Sequence, residues 1–184
     1  MQNQTELILE CKNRVLTKQG LTEEMTNELF NVENKVLSQL SDAANEITRI
    51  FQGSKIDVEQ LANIKKNYCS EDCTFCSQSA FFDTGIDKYQ LMSAEEVVKQ
   101  ATDAKNAGAH SYCLVAAWRE PSNDDFKRVC NIIEEVNKKV GISIECSLGF
   151  LTIQQAVKLK KLGVIRYNHN LETSESKFPE ICTT

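Results

Sequence analysis

The sequence is poor in proline, glycine and histidine, and it contains no long apolar run. Its 184 residues include 2 prolines, 7 glycines and 2 histidines, which argues against flexible linkers and low-complexity tracts. No stretch approaches the roughly 18 apolar residues that a membrane span requires. Residues 1–6 carry neither a basic start nor an apolar run, so no secretory signal is predicted. We therefore expect a globular protein with a sizeable core.

Charge and cysteine content limit the compartment and the partners. The formal net charge of −5 gives no electrostatic basis for binding nucleic acid or an anionic membrane. The chain has 8 cysteines. Without a signal segment, this number is typical of a reducing compartment, where cysteines bind metals or remain thiols. We expect a cytoplasmic protein.

Hydrophobic periodicity predicts a helical N-terminal extension, which we place at residues 1–55. Apolar residues recur there at the spacing of an amphipathic helix. The two series are Leu7, Ile8, Cys11 and Val15, and Leu29, Val32, Val36 and Leu40. We expect this part to contribute packing and no chemistry.

From about residue 56 the pattern changes to an alternation of strands and helices. Apolar or β-branched runs predict the strands, and amphipathic stretches between them predict the helices. The predicted strands are 61–65, 111–115, 142–146 and 164–167, and the predicted helices are 94–106, 123–139 and 153–161. Each helix has a serine or threonine at its start and a glycine near its end, which are capping signals. The sequence therefore predicts an α/β fold with a parallel sheet.

Two architectures place ligands at the carboxyl ends of parallel strands. A (β/α) barrel and an open doubly wound sheet both do so, and the placement of the polar residues alone leaves both open. Only four strands are found where a barrel needs eight. Residues 177–184 have the composition of a loop interior, so we expect the chain to be truncated at its C-terminus.

Three cysteines lie close together directly after the first predicted strand. Cys69, Cys73 and Cys76 have the spacing C-x₃-C-x₂-C, with Phe75 directly before the last cysteine. An iron–sulfur cluster that only carries electrons is normally held by four cysteines. Three thiolates from one loop would leave the fourth iron of a [4Fe–4S] cluster without a protein ligand. The spacing therefore predicts a [4Fe–4S] cluster whose open iron binds a small molecule.

Zinc is the competing interpretation of this loop. A structural zinc site uses four ligands, usually arranged as two pairs, whereas the loop supplies three and the histidines of the chain are His110 and His169. Free thiols are a further interpretation, although three exposed loop thiols would be prone to oxidation. Cys113 and Cys146 lie on predicted strands, and taken alone they are typical of small buried hydrophobic residues.

Three stretches resemble the biotin synthase family of the radical-SAM superfamily. Residues 69–79 resemble the cluster loop of that family, and residues 112–118, with a cysteine and an Ala-Ala-Trp, resemble its second-strand segment. Residues 167–174, Tyr-Asn-His-Asn-Leu-Glu-Thr-Ser, resemble its fourth-strand signature. The similarity extends from about residue 30 to the C-terminus. It implies a TIM-type (β/α) barrel domain at residues 56–184, represented by its first four βα units.

The resemblance implies a transferase that inserts sulfur into dethiobiotin to form biotin. S-adenosyl-L-methionine (SAM) would bind the [4Fe–4S] cluster on Cys69, Cys73 and Cys76. An electron from a donor such as flavodoxin or ferredoxin would then cleave SAM to a 5′-deoxyadenosyl radical. The family draws its sulfur from a [2Fe–2S] cluster held by three cysteines and an arginine, and Cys113 and Cys146 match two of these cysteines. We expect both thiols to face the barrel interior.

A polar series follows the fourth predicted strand. Asn168, Asn170 and Glu172 alternate, so they can face one side, although the sequence alone is more typical of a loop start. The resemblance implies that Asn170 and Glu172 bind the SAM ribose and that Asn168 and Asn170 contact the ureido ring of dethiobiotin. We expect His169 to be structural. The remaining assignments are Arg166 and Trp118 as neighbours of the barrel interior or cofactor, and Cys11, Cys130 and Cys182 as packing or surface thiols.

The third cysteine and the arginine of the second cluster would belong to later strands. We therefore do not expect this chain alone to convert dethiobiotin. We expect it to aggregate, to pair with a partner that completes the barrel, or to stay partly unfolded. Two other functions stay open: another radical-SAM enzyme of hydrogenase-maturation or lysine-mutase type, and a non-catalytic metal-binding fragment. For partners, the resemblance implies a small-molecule substrate, neither nucleic acid nor membrane, and a homodimer of the full-length protein.

Overall fold

The computed structural model describes residues 3–184. The chain divides into two compact units, the first extending to Ile56 and the second comprising Asp57–Thr184.

The first unit is helical. Its elements are α1 (Gln4–Leu16), α2 (Glu23–Phe30), a 3₁₀ turn (Asn34–Val36) and α3 (Leu37–Gln52). Leu7, Cys11 and Met25 form its small buried core.

The apolar series from Leu29 to Leu40 does not form one helix, and in this respect the periodicity was misleading. The helix α2 ends at Phe30, and the next α-helix begins at Leu37. The side chain of Asn31 donates to the carbonyl of Asn27 at 2.7 Å. A polar side chain that bonds the last turn in this way favours a helix end.

The second unit alternates strands and helices. Its strands are β1 (Glu59–Lys65), β2 (Ser111–Ala116), β3 (Ser143–Ser147) and β4 (Val164–Tyr167), and its helices are α4 (Ala94–Asn106), α5 (Asn123–Lys139), α6 (Ile153–Lys161) and α7 (Phe178–Ile181). The three helices predicted from the sequence, α4 to α6, have the predicted bounds. The short helix α7 lies in a stretch that was predicted to be a loop.

The four strands form one parallel sheet in the order β1-β2-β3-β4. A doubly wound sheet reverses its strand order at a switch point, and no reversal occurs among these strands. Right-handed crossovers that all advance in one direction place their helices on the same face. We call this side, which packs against α4, α5 and α6, the helix face, and the opposite side the open face. The arrangement is the first half of a (β/α) barrel, whose interior is the open face, and it confirms the predicted fold class.

The main core lies between the helix face and the three helices. Val97 of α4 and Val129 and Ile133 of α5 are fully buried there. Burying an aliphatic side chain of this size contributes about 1.5–3 kcal/mol. The strands contribute alternate residues to the same core, namely Ala62, Ile64, Tyr112, Leu114, Ile144 and Cys146.

Capping fixes where the helices begin. The Ser93 hydroxyl accepts from the Glu96 amide at 3.2 Å, and a Glu96 carboxylate oxygen accepts from the Ser93 amide at 2.8 Å. The same reciprocal pair joins Thr152 and Gln155 at the start of α6. Each pair satisfies two amides that would otherwise lack partners. The loops that precede α4 and α6 are therefore held in fixed positions at the carboxyl end of the sheet.

Candidate metal centre

The three clustered cysteines lie in the loop that follows β1. We call residues 66–80 the cluster loop. Its two ends are joined by main-chain hydrogen bonds: the Cys69 amide donates to the Gln78 carbonyl at 3.2 Å, and the Ala80 amide donates to the Cys69 carbonyl at 2.9 Å. The Cys76 amide donates to the Cys73 carbonyl at 3.0 Å. The loop is therefore closed on itself, and its closure brings the three cysteines into one small region.

The thiols of Cys69, Cys73 and Cys76 are all half-buried and free. Burial raises the pKa of Cys69, with a smaller contribution from Cys76. Burial, followed by a hydrogen bond that the Cys73 thiol donates to Cys182, raises the pKa of Cys73 to about 12. Thiolate charge is unfavourable in this loop, so a cation that binds the thiolates must displace their protons. Within residues 3–184, no three His, Cys, Asp or Glu side chains converge closely enough to hold a single metal ion.

A segment far along the chain packs against the cluster loop. The Thr74 amide donates to the Ile181 carbonyl at 3.0 Å, and the Thr183 amide donates to Asp72 Oδ1 at 2.7 Å. Cys182 is 4% exposed, its Sγ lies 3.6 Å from Thr184 Oγ1, and it is close enough to Cys73 to raise the pKa of that thiol. Cys182 is thus a packing thiol, one of the two roles predicted for it, and it packs against the cluster loop. The local sequence carries no signal for this contact, because the two segments are more than 100 residues apart.

A salt bridge ties the cluster loop to the carboxyl end of β2. Arg119 Nη1 lies 2.8 Å from Glu71 Oε2. The Arg119 guanidinium also lies over the Phe150 ring, 5.1 Å from its centroid, and that ring is 4.9 Å from the ring of His169. The loops after β1, β2, β3 and β4 therefore meet at one end of the sheet, where a (β/α) barrel builds its active site.

The register of β2 and β3 decides which strand side chains face the barrel interior. Cys113 lies opposite Glu145, and Cys146 lies opposite Leu114. Directly opposed residues point to the same face of a sheet, and Leu114 belongs to the core on the helix face. Cys146 therefore lies on the helix face, whereas Cys113 and Glu145 lie on the open face. The prediction that both thiols face the barrel interior holds for Cys113 and is wrong for Cys146.

The physical reason for this correction is the alternation within β3. Ile144 and Cys146 belong to the buried core, and the intervening Glu145 points the other way because successive strand residues alternate in direction. The Cys146 thiol is fully buried, and this burial raises its pKa well above the usual range. Such surroundings are those of a small hydrophobic side chain.

Asn168 is the member of the predicted polar series that reaches the open face. Its Nδ2 lies 3.7 Å from Cys113 Sγ, and its amide donates to the Cys146 carbonyl at 2.8 Å. Asn170 and Glu172 follow on the exposed loop after β4, and Glu172 has a φ of 64°. The structure therefore brings Asn168 to Cys113 and leaves the other two open to solvent.

Two further residues were predicted to neighbour the interior or the cofactor. Arg166 lies on the open face, where its Nη1 is 3.0 Å from Glu145 Oε2. Trp118 is buried instead, and its Nε1 donates to the Leu148 carbonyl at 2.7 Å. The ammonium group of Lys65 lies 5.0 Å from a ring centroid of Trp118. Trp118 therefore joins the ends of β1, β2 and β3.

A sequence model of the radical SAM superfamily matches residues 63–184. This is about two thirds of the chain, and it includes the cluster loop and all that follows it. The chain belongs to the radical SAM superfamily. The match begins on β1, two residues after Leu61.

Relatives from archaea and bacteria match nearly the whole chain. The chain is 65% identical to the biotin synthase of Nitrosopumilus maritimus (strain SCM1) and 36% identical to that of Clostridium tetani (strain Massachusetts / E88), each over 97% of the chain. A biotin synthase of Cenarchaeum symbiosum (strain A) is 56% identical over 96% of the chain. The chain covers 55% of each of these three proteins. It therefore spans about half the length of the curated relatives that it matches.

Two solved structures resemble the fold. One is the crystal structure of HydG, a maturase of the [FeFe]-hydrogenase, with a TM-score of 0.82 over 98% of this chain and 40% of that one. The other is methylornithine synthase (PylB), with a TM-score of 0.79 over 92% of this chain and 50% of that one. The sequence identities are 20% and 21%, so the likeness concerns the fold alone. None of the helices within residues 3–184 combines the length and apolar character needed to cross a bilayer.

Proposed function

We propose that this chain is the cluster-binding half of a biotin synthase. Residues 56–184 form its radical-SAM domain and residues 1–55 a helical extension. The observation that carries the proposal is the donor set of the cluster loop, three half-buried thiols at C-x₃-C-x₂-C on a loop closed by its own main chain. The 65% identity to a biotin synthase over 97% of the chain supports the choice within the superfamily.

The donor set fits a [4Fe–4S] cluster with one open iron. Soft thiolates favour iron–sulfur clusters, and Cys69, Cys73 and Cys76 supply three of them from a single loop. A mononuclear zinc ion needs ligands that converge at about 2.3 Å, and the described side chains do not converge in this way. When bound, the cluster would supply the electron that cleaves SAM to a 5′-deoxyadenosyl radical.

The remaining loops at this end of the sheet would hold the substrates. Asn168, Asn170 and Glu172 offer amide and carboxylate groups for the ribose of SAM and for the ureido ring of dethiobiotin. Asn168 is the best placed of the three, because it already lies at the open face beside Cys113. An external donor such as flavodoxin or ferredoxin would deliver the electron, and the full-length protein would be a homodimer.

The [2Fe–2S] cluster that the family resemblance implies does not fit this chain as predicted. Two ligands of one cluster must face the same space. Cys113 and Cys146 lie on opposite faces of the sheet. We therefore assign no role to a cluster held by this pair.

The cluster assignment is tested by anaerobic reconstitution with iron and sulfide. We expect about four irons per chain and a broad absorbance roughly near 400 nm. Each of Cys69→Ala, Cys73→Ala and Cys76→Ala should abolish this absorbance, whereas Cys130→Ala, a matched change of a buried thiol in α5, should keep it. Full iron content in all three loop variants would contradict the proposal.

The chemistry is tested by adding SAM and dithionite to the reconstituted chain. We expect 5′-deoxyadenosine to form with the unmodified chain and with Cys130→Ala, and not with the loop variants. A reconstituted chain that holds four irons but forms no 5′-deoxyadenosine would favour a structural cluster over a radical-SAM function.

A further inference from the structure

The open face of the sheet carries one thiol. Cys113 is 2% exposed and is the β2 residue opposite Glu145. Cys146 is the β3 residue opposite Leu114 and belongs to the core on the helix face. A strand residue moves to the other face only if the register shifts by one, and such a shift would expose the whole apolar set of β3.

The surroundings of Cys146 support its assignment to the core. It is fully buried among the apolar side chains between the sheet and the helices. After burial, charge on Cys113 of the neighbouring strand and then on Cys130 of α5 raises its pKa further. Forming a thiolate there requires desolvation without a cationic partner. A cluster in the barrel interior could reach its sulfur only through the sheet.

Glu145 occupies the place on the open face that a second thiol would need. It is 1% exposed, and its two carboxylate oxygens lie 3.0 and 3.1 Å from Arg166 Nη1. Glu59 of β1 approaches the same guanidinium at 3.9 Å. A buried carboxylate is stable only with a partner of this kind. The ion pair with Arg166 therefore holds the Glu145 carboxylate in the barrel interior.

We propose that Glu145, and not Cys146, is the β3 residue that faces Cys113 in the barrel interior. This half of the protein then offers one thiolate to the interior, beside a carboxylate–guanidinium pair. A [2Fe–2S] cluster bound by Cys113 and Cys146 does not form. The inference rests on the proposed function in one respect: that function supplies the expectation of a second cluster in the barrel interior.

The test measures which β3 position, 145 or 146, places its side chain close enough to Cys113 to bind the same metal ion. All variants carry Cys69→Ala, Cys73→Ala and Cys76→Ala, so that the cluster loop and the proposed [4Fe–4S] site play no part. The probe is Cd²⁺, which thiolates bind strongly, and the readouts are the number of ions bound per chain and the ultraviolet thiolate-to-cadmium absorption. Glu145→Cys should create a site for about one Cd²⁺. Adding Cys113→Ala should remove that site, and adding Cys146→Ala should leave it intact.

A second measurement tests whether Cys146 contributes to a cluster, and it does not depend on the folding of Glu145→Cys. The same loop-cysteine background, with its native Glu145, is reconstituted with iron and sulfide, with and without Cys146→Ala. We expect the two proteins to bind equal and negligible amounts of iron and sulfide. Iron and sulfide that Cys146→Ala removes would overturn the inference. So would a folded Glu145→Cys variant that binds no Cd²⁺, because folding is measured independently by circular dichroism.

Discussion

Gly149 lies where the loops after β2 and β3 touch. A Cβ atom at this position would lie 2.0 Å from the carbonyl oxygen of Arg119, and the backbone φ of Gly149 is +69°. The next amide, that of Phe150, donates to the same Arg119 carbonyl at 2.8 Å. Glycine is required here both for the left-handed backbone and for the close approach. The contact holds Arg119, the partner of Glu71, at the edge of the cluster loop.

Replacing Gly149 by alanine should therefore destabilise the chain. A side chain at positive φ costs about 1 kcal/mol, and the overlap with backbone atoms adds to this cost. We expect a loss of more than about 1 kcal/mol in the free energy of unfolding by urea. Gly20→Ala is the matched control, because its Cβ would meet nothing within 4 Å, and it should change stability by less than about 0.5 kcal/mol. Equal effects of the two changes would contradict this reading of the contact.

Sequence reasoning located the cluster-loop cysteines because all three lie within eight residues of each other. The prediction that Cys146 faces the barrel interior came from the family resemblance, and it conflicts with the alternation of side chains along β3. The signal was present: Ile142, Ile144 and Cys146 are the apolar set of this strand, while Ser143 and Glu145 are the polar set. Period-two alternation already places Cys146 with the isoleucines.

At the scale of elements, the capping boxes make helix positions readable from sequence. Ser93 with Glu96 and Thr152 with Gln155 form reciprocal pairs, and the Ser122 hydroxyl accepts from the Asp125 amide. The helices α4, α5 and α6 begin directly after these serine and threonine residues. The start of α7 could not be read in this way, because Lys177 caps it without a side-chain hydrogen bond. That helix depends on contacts with the distant cluster loop, which no local pattern encodes.

The capping box of α6 offers a quantitative test. Thr152→Ala removes the hydroxyl that accepts from the Gln155 amide, and we expect a loss of about 1 kcal/mol. Thr152→Ser keeps the oxygen and should cost much less. Urea denaturation of the two variants measures the difference. If both variants lose the same stability, then the methyl group of Thr152, and not the cap, is responsible.

At the scale of the whole molecule, the sheet described by residues 3–184 has two edges, β1 and β4. Leu61 of β1 is 58% exposed, and Ile165 of β4 is 62% exposed. Edge strands with apolar side chains are templates for association. The parallel sheet could be predicted from the order of elements and the barrel from the family resemblance, but whether a further strand covers each edge depends on contacts outside this sheet.

We therefore expect this chain to self-associate. Its weight-average mass in sedimentation should rise with concentration, because edges and apolar side chains of different copies can pair. Leu61→Lys combined with Ile165→Lys should lower this association, since charged edge residues oppose strand pairing. Glu175→Lys, which changes the charge by the same amount at an exposed loop position, is a control for net charge alone. A monomer at all concentrations would refute the expectation.

The hydrogen bonds between the cluster loop and the segment at 178–184 can form only after both parts of the chain have been synthesised. The Thr183 amide and Asp72 are 111 positions apart in the chain. At about 5–20 residues per second, the ribosome needs roughly 5–20 s to reach Thr183 after it has added Asp72. During that interval Cys73 has been made but lacks its neighbour Cys182. The packing of this segment against the cluster loop is thus a late event, which follows the synthesis of β4.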